Sequence, residues 1–169
     1  MNVRKEATSR LTGGKGDLSH RNTKRNTDIA LRLAASLYLV GLIAHTADHF
    51  RRGTSVLTTE VLVAGFVSTI AGIATVALIF TRNRRAPLAA AFLGFPVAIG
   101  VAAVHLLPKW SVFSDAFPGS TGTGVSALSW TVVLVEIAGA LALGIAGASD
   151  LSRESRMDSP LKQAAFKQG

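Results

Sequence analysis

The chain of 169 residues is long enough for one domain, and its residues are 49% hydrophobic and only 17% charged, with a mean hydropathy of +0.37. The charges are concentrated in the two ends and in short links, which excludes an ordinary soluble domain. The absence of cysteine excludes disulfides, thiolate metal sites and thiol redox chemistry, and the net charge of +8 is interpreted as a membrane-orientation signal, so no nucleic-acid partner is expected.

Four apolar stretches lie between the charged segments. Each is close to the roughly 20 residues that a helix needs to cross the hydrocarbon core of a bilayer. They predict an all-α integral membrane protein, a bundle of four transmembrane helices with mainly antiparallel neighbours. The predicted spans are residues 29–50, 58–81, 87–107 and 125–148, which together form a transmembrane domain over 29–148.

The segments outside the spans are polar. Residues 1–28 are basic, rich in Gly, Ser, Thr and Asn and without apolar periodicity, which predicts a disordered tail. Residues 149–169 are predicted to form a second polar tail. The longest link is an outer interfacial segment over 108–124, in which Trp110, Phe113 and Phe117 recur at helical spacing. This spacing predicts a short helix lying in the membrane interface.

The distribution of Lys and Arg predicts the orientation of the spans. With a cytoplasmic N-terminus, the outside holds only Arg51, Arg52 and Lys109, and all other basic residues lie inside. The positive-inside rule therefore predicts that both tails are cytoplasmic, in a bacterial cytoplasmic (plasma) membrane. The end of span one, the start of span two and the end of span three then face the outer side together.

The densest polar stretch of the chain ends span one. On a helix, residues three and four apart share a face, so His45, Asp48, His49 and Arg52 form one stripe. The predicted orientation brings this stripe to the same membrane face as Glu60 and His105, the latter at the end of span three. Ionisable groups at such a position are costly unless they are paired, hydrated or liganded.

This outer cluster has two interpretations. Imidazole is a common ligand for transition metals, so His45, His49 and His105 are candidate ligands, with Asp48 or Glu60 supplying an oxygen or a supporting hydrogen bond. The predicted cofactor is a divalent transition metal; haem is disfavoured because its histidine pair would lie near the surface. In the alternative interpretation the same groups only hydrogen-bond one another and close the end of the bundle.

The other polar residues have separate predicted roles. Glu136 lies near the bilayer midplane in span four, where a carboxyl serves a proton relay or a buried hydrogen bond. Arg51 and Arg52 are expected to pair with Asp48 or Glu60, or to hold the helix end at the headgroups. Trp110 and Trp130 are predicted interfacial anchors, and Asp115 is predicted to be solvated.

Three classes of function follow from these features. The first is a membrane protein whose outward-facing histidine–carboxylate cluster binds a metal ion or a small polar ligand. The second is a proton-coupled transporter component that uses Glu136, and the third is an accessory subunit of a larger membrane complex. The expected partners are the lipid bilayer and either a second copy of the chain or such a complex. An enzyme is disfavoured, because Ser114, Asp115 and His105 lack a nucleophile elbow and an oxyanion loop.

Overall fold

The computed structural model describes residues 3–166, with side chains at position 23 and positions 25–156. The chain divides into two units, residues 1–30 and residues 31–169, and the described backbone of the first, residues 3–30, is helical. Across the described residues there is no strand, and the helices are α1 (Val3–Arg52), a short 3-10 turn (Thr54–Val56), α2 (Thr59–Phe80), α3 (Ala86–His105) and α4 (Ala127–Phe166).

Four segments of these helices are long and apolar enough to cross a membrane. They are Arg25–Arg52, Thr59–Phe80, Ala86–His105 and Ala127–Arg156. Large apolar side chains cover the outside of the bundle; on α2, for example, Phe66 is 68% exposed and Ile70 is 53% exposed. Contiguous apolar surface of this kind suits contact with lipid rather than with water. The prediction of an all-α protein with four helices able to span a membrane is confirmed.

The ends of the middle helices follow from their sequences. Thr58 caps α2, because its hydroxyl accepts a hydrogen bond from the Val61 amide at 3.2 Å. Pro87 lies in the first turn of α3, where its missing amide hydrogen costs nothing. Span two, predicted over 58–81, therefore corresponds to α2, and span three, predicted over 87–107, corresponds to α3.

The first and last helices, α1 and α4, extend beyond their predicted spans. α1 begins at Val3, so residues 3–28 have helical backbone where composition predicts a disordered tail. No proline occurs before Arg25, so no steric stop prevents the first span from continuing backwards as a helix. α4 likewise continues through residues 149–166. Disorder of the first tail in solution stays a prediction, and residues 1–2 and 167–169 lie outside the described part.

The short interfacial helix predicted within the 108–124 segment, around Trp110, Phe113 and Phe117, is wrong. Residues 106–126 are turns and irregular chain, with glycines of positive φ at Gly119, Gly122 and Gly124. Phe117, predicted to lie on the interfacial helix, is instead only 3% exposed, whereas Trp110 and Phe113 remain exposed. The amides of Asp115 and Phe117 donate to the carbonyls of Val104 and His105, so the segment folds back on the end of α3, and Pro118 with the glycines after it does not continue a helix.

Glycines allow α4 to pack closely against α1. A Cβ atom added at Gly41 of α1 would lie 2.6 Å from the Glu136 Cα atom, and one added at Gly139 of α4 would lie 2.6 Å from the Tyr38 Cα atom. Each glycine therefore faces the backbone of the other helix, as expected where membrane helices approach without intervening side chains. This contact positions Glu136 beside Gly41, one helical turn before His45.

Candidate metal centre

Buried polar side chains are concentrated at one end of the bundle. We call this the polar end; α1 and α3 end there, and α2 and α4 begin there. Apart from Thr75 and Tyr38, every buried polar or charged residue in the described part of the chain belongs to this end. They are His45, Asp48, His105, Asp115, Ser129 and Glu136, and the side chain of Arg52 is buried with them.

Three histidines converge within this region. His45 and His49 lie one turn apart on α1 with ring centroids 4.5 Å apart, and His105 at the end of α3 is 4.7 Å from His45 and 5.5 Å from His49. One nitrogen of each ring lies within 4.8 Å of the others. His45 and His105 are buried, and His49 is half-buried. The convergence of these three predicted ligands is therefore observed.

Glu136 holds the ring of His45. The Nδ1 atom of His45 contacts the Oε2 atom of Glu136 across the interface between α1 and α4. When Glu136 is the acceptor in this contact, the imidazole proton lies on Nδ1 and Nε2 keeps a lone pair. The Nε2 atom is buried and has no hydrogen-bond partner among the described residues. It is therefore available to a ligand.

A backbone carbonyl holds the ring of His105 in a similar way. Its Nδ1 atom lies 3.1 Å from the carbonyl oxygen of Asp115, in the loop that follows α3. Since a carbonyl oxygen can only accept, Nδ1 carries the proton and Nε2 has the lone pair. Histidine ligands of metals are commonly oriented by such a carboxylate or carbonyl on the second nitrogen. The third ring, His49, has a buried Nδ1 atom without a hydrogen-bond partner in the described region.

The chain has no match among family models, curated proteins or solved structures.

A second polar group lies against the histidines. Arg52, whose side chain is 0% exposed, forms an ion pair with Asp115, which is itself buried. The same Asp115 Oδ2 atom lies 3.4 Å from His105 Nδ1 and 3.8 Å from His49 Nδ1. Burial raises the pKa of Asp115, and the nearby Arg52 guanidinium opposes that shift. The prediction that Asp115 is solvated is therefore wrong.

Phe117 completes the enclosure on the loop side. Its ring centroid lies 4.8 Å from that of His105 and 5.4 Å from that of Trp130, and the Arg52 guanidinium carbon lies 5.2 Å from it. The aromatic face is thus within reach of a cation–π contact with Arg52. The loop after α3 does more than connect two helices, because Asp115 and Phe117 cover the histidines.

Asp48 supports the neighbouring helix end and is not in the three-histidine group. Arg51 Nε donates to Asp48 Oδ1 at 2.8 Å, as the sequence predicts, and an Arg51 amino group donates to Ser129 Oγ at 3.1 Å and to the Gly124 carbonyl at 3.0 Å. These contacts join the end of α1 to the start of α4. The pair is partly solvated, because the Arg51 side chain is 42% exposed.

The remaining predicted site residues lie apart from the histidines. Glu60 is exposed in the first turn of α2, where an acid favours the helix dipole, so it does not join the group. Trp110 is exposed, and its indole nitrogen donates to the Ala103 carbonyl at 2.9 Å. Trp130 is 37% exposed and packs on Phe117. Their role as interfacial anchors stays a prediction.

Sequence reasoning missed the role of Asp115, although a signal was present. Asp115 is the only acidic residue between His105 and the start of α4, and aromatic residues flank it. Only Arg51, Arg52 and Lys109 supply positive charge to the same predicted face. A lone carboxyl among aromatic residues, on the same predicted face as two arginines, is compatible with a buried ion pair.

The three histidines fit a first-row transition metal. Zn–N bonds of about 2.0–2.1 Å hold tetrahedral ligand nitrogens about 3.3 Å apart, so side-chain movements on the order of 1 Å would close this group on an ion. Imidazole nitrogen suits zinc, copper, iron and nickel. Three protein ligands also leave a coordination position open, which is the usual arrangement of zinc sites that bind a further ligand.

Proposed function

We propose that this protein binds a transition-metal ion in its membrane domain through His45, His49 and His105, with a fourth coordination position open. The single observation that carries the proposal is the convergence of three imidazoles, two of which have Nδ1 held by an acceptor. A cluster serving only to close the bundle would satisfy both nitrogens of a buried ring. Here the buried Nε2 of His45 has no hydrogen-bond partner among the described residues.

Glu136 has a specific role in this proposal. Its carboxylate accepts from His45 Nδ1, which fixes the ring and raises the basicity of Nε2. Glu136 lies nine residues after Ala127, about 14 Å along α4, and His45 lies seven residues before the end of α1, about 10 Å along that helix. The two side chains meet inside the bundle. We therefore assign Glu136 to the support of the metal ligand rather than to a free-standing proton relay.

The polar end faces the outer side of the membrane in this proposal, with both chain ends in the cytoplasm. Support comes from the link Arg82–Arg85, which carries three arginines, whereas Arg52 at the polar end is buried in an ion pair and Arg51 is paired with Asp48. Because the chain lacks cysteine, single cysteines at Ser120 and Asn83 report orientation. A membrane-impermeant thiol reagent on intact cells should label Ser120→Cys and spare Asn83→Cys; the reverse pattern would invert the topology.

Metal content of the purified protein tests the function. Detergent-purified wild-type protein, offered Zn²⁺, Co²⁺ or Cu²⁺ and then desalted, should retain about one ion per chain, measured by elemental analysis. Glu136→Gln should bind the same ion 10- to 100-fold more weakly, because the amide does not support the His45 ring as a carboxylate does. Glu60→Gln is the matched control and should bind as wild type, since Glu60 is exposed.

A wild-type protein that folds but retains no offered ion would contradict the proposal. The cluster would then be a hydrogen-bonded closure of the bundle, and the chain would better suit an accessory subunit that packs against itself or a larger membrane complex. Equal metal affinity in Glu136→Gln and wild type would contradict only the assignment of Glu136.

A further inference from the structure

The buried Arg52 side chain has hydrogen-bonding capacity that its protein partner does not use. One terminal nitrogen pairs with Asp115, but the Nε and second terminal nitrogen are buried and have no hydrogen-bond partner among the described residues. The side chain is 0% exposed, which excludes bulk water and lipid headgroups as the missing partners. Buried guanidinium N–H groups without partners cost free energy, and an anion is the partner for which the group is best suited.

Arg52 also lies next to the candidate metal site. The Asp115 Oδ2 atom that it contacts is 3.4 Å from a nitrogen of His105 and 3.8 Å from a nitrogen of His49. One carboxylate oxygen therefore lies within 4 Å of the arginine and of two of the three imidazoles. The guanidinium is thus close enough to the histidines for one small anion to contact both it and a metal ion held there.

The charge balance of the site also favours an anion. With the imidazoles neutral, as metal ligation requires, the Arg51–Asp48 and Arg52–Asp115 pairs each sum to zero, and Glu136 contributes one negative charge. A divalent ion then leaves one unbalanced positive charge in a buried site. Such a charge is costly away from water unless an anion balances it.

We propose that the fourth coordination position of the metal takes a small monovalent anion, a carboxylate or a bicarbonate-like oxyanion, which Arg52 holds by its free N–H groups. The inference rests on the proposed metal site and names the class of ligand that the site takes. Arg52 acts here as a binding residue for the anion. The planar guanidinium can donate two parallel hydrogen bonds to one oxyanion, which a lysine ammonium cannot.

The experiment uses Co²⁺ as the metal and formate as the anion probe, in the full-length protein in detergent. The visible absorption of bound Co²⁺ reports metal binding by its presence and a change of ligand by its shift. Formate should shift the wild-type spectrum in a saturable way. Lys109→Gln is the control for loss of charge at the polar end, because Lys109 is exposed, and it should respond as wild type.

Two variants test Arg52 without leaving a charge unpaired. Arg52→Lys keeps the ion pair with Asp115 but loses the planar guanidinium that can donate two parallel hydrogen bonds. The double variant Arg52→Gln with Asp115→Asn removes both charges together. Both should keep the Co²⁺ spectrum and bind formate at least 10-fold more weakly. Equal formate affinity in all variants, or a wild-type Co²⁺ spectrum that formate leaves unchanged, would overturn the anion proposal alone. A wild-type protein without any Co²⁺ spectrum would overturn the metal site and this inference with it.

Discussion

Removal of either buried histidine ligand should strongly weaken metal binding. We expect His45→Ala and His105→Ala each to weaken the affinity by more than about 100-fold, because loss of a ligand exceeds the 10- to 100-fold effect of losing a supporting partner. Metal at 1,000 times the wild-type dissociation constant should also raise the thermal stability of wild type by about 4 kcal/mol, and that of either variant by less than about 1.5 kcal/mol. Isothermal titration and thermal unfolding in detergent measure the two effects.

The control for this prediction is the fourth histidine of the chain. His20 lies in the basic first segment, outside the residues whose side chains are described, and His20→Ala should bind metal as wild type. Elution as a single sharp peak in size-exclusion chromatography checks that the alanine variants are folded. Metal affinity retained in His105→Ala would contradict a centre shared between α1 and α3.

Neutralising Asp115 should give the largest loss of stability. Asp115→Asn keeps the size of the side chain but leaves the fully buried Arg52 charge without its counter-ion. Breaking a buried ion pair from one side costs about 3–5 kcal/mol, so we expect a loss of about 3 kcal/mol in the free energy of unfolding. Titration of the detergent-solubilised protein with a denaturing detergent, followed by circular dichroism, measures this difference.

Asp48→Asn is the matched control, because the same chemical change is made in the neighbouring pair. Its partner Arg51 is 42% exposed and also donates to Ser129 and to the Gly124 carbonyl, so water and these groups compensate the lost charge. We expect a loss of about 1 kcal/mol or less, as for partly solvated pairs. Equal losses in the two variants would show that burial of Arg52 does not govern the stability of this end. Combining Asp115→Asn with Arg52→Gln should recover most of the loss.

The four apolar helices were predictable because hydropathy is a local property. A run of about 20 apolar residues has few structures available in a bilayer, since each backbone polar group must be satisfied within the segment. The shared face of His45 and His49 was predictable for a similar reason, because helical periodicity depends only on sequence spacing. Neither conclusion needed knowledge of which helices are neighbours.

The loop after α3 could not be predicted in the same way. The aromatic spacing of Trp110, Phe113 and Phe117 is compatible with an interfacial helix, but the prolines and glycines around it give an irregular chain. Only this chain path brings Phe117 against His105 and Asp115 against Arg52. Periodicity describes regular elements and contains no information about the path of an irregular loop.

The sequence alone therefore specified which segments can cross a membrane and which ionisable residues lie near their ends. The tertiary structure decided the partners: Glu136 meets His45, Asp115 meets Arg52, and Glu60 remains exposed. These pairings depend on the depth and rotation of each helix relative to its neighbours. For α1 and α4, the close approach of the two backbones at Gly41 and Gly139 determines both the depth and the rotation of one helix relative to the other. Such long-range contacts are not encoded in any single stretch of sequence.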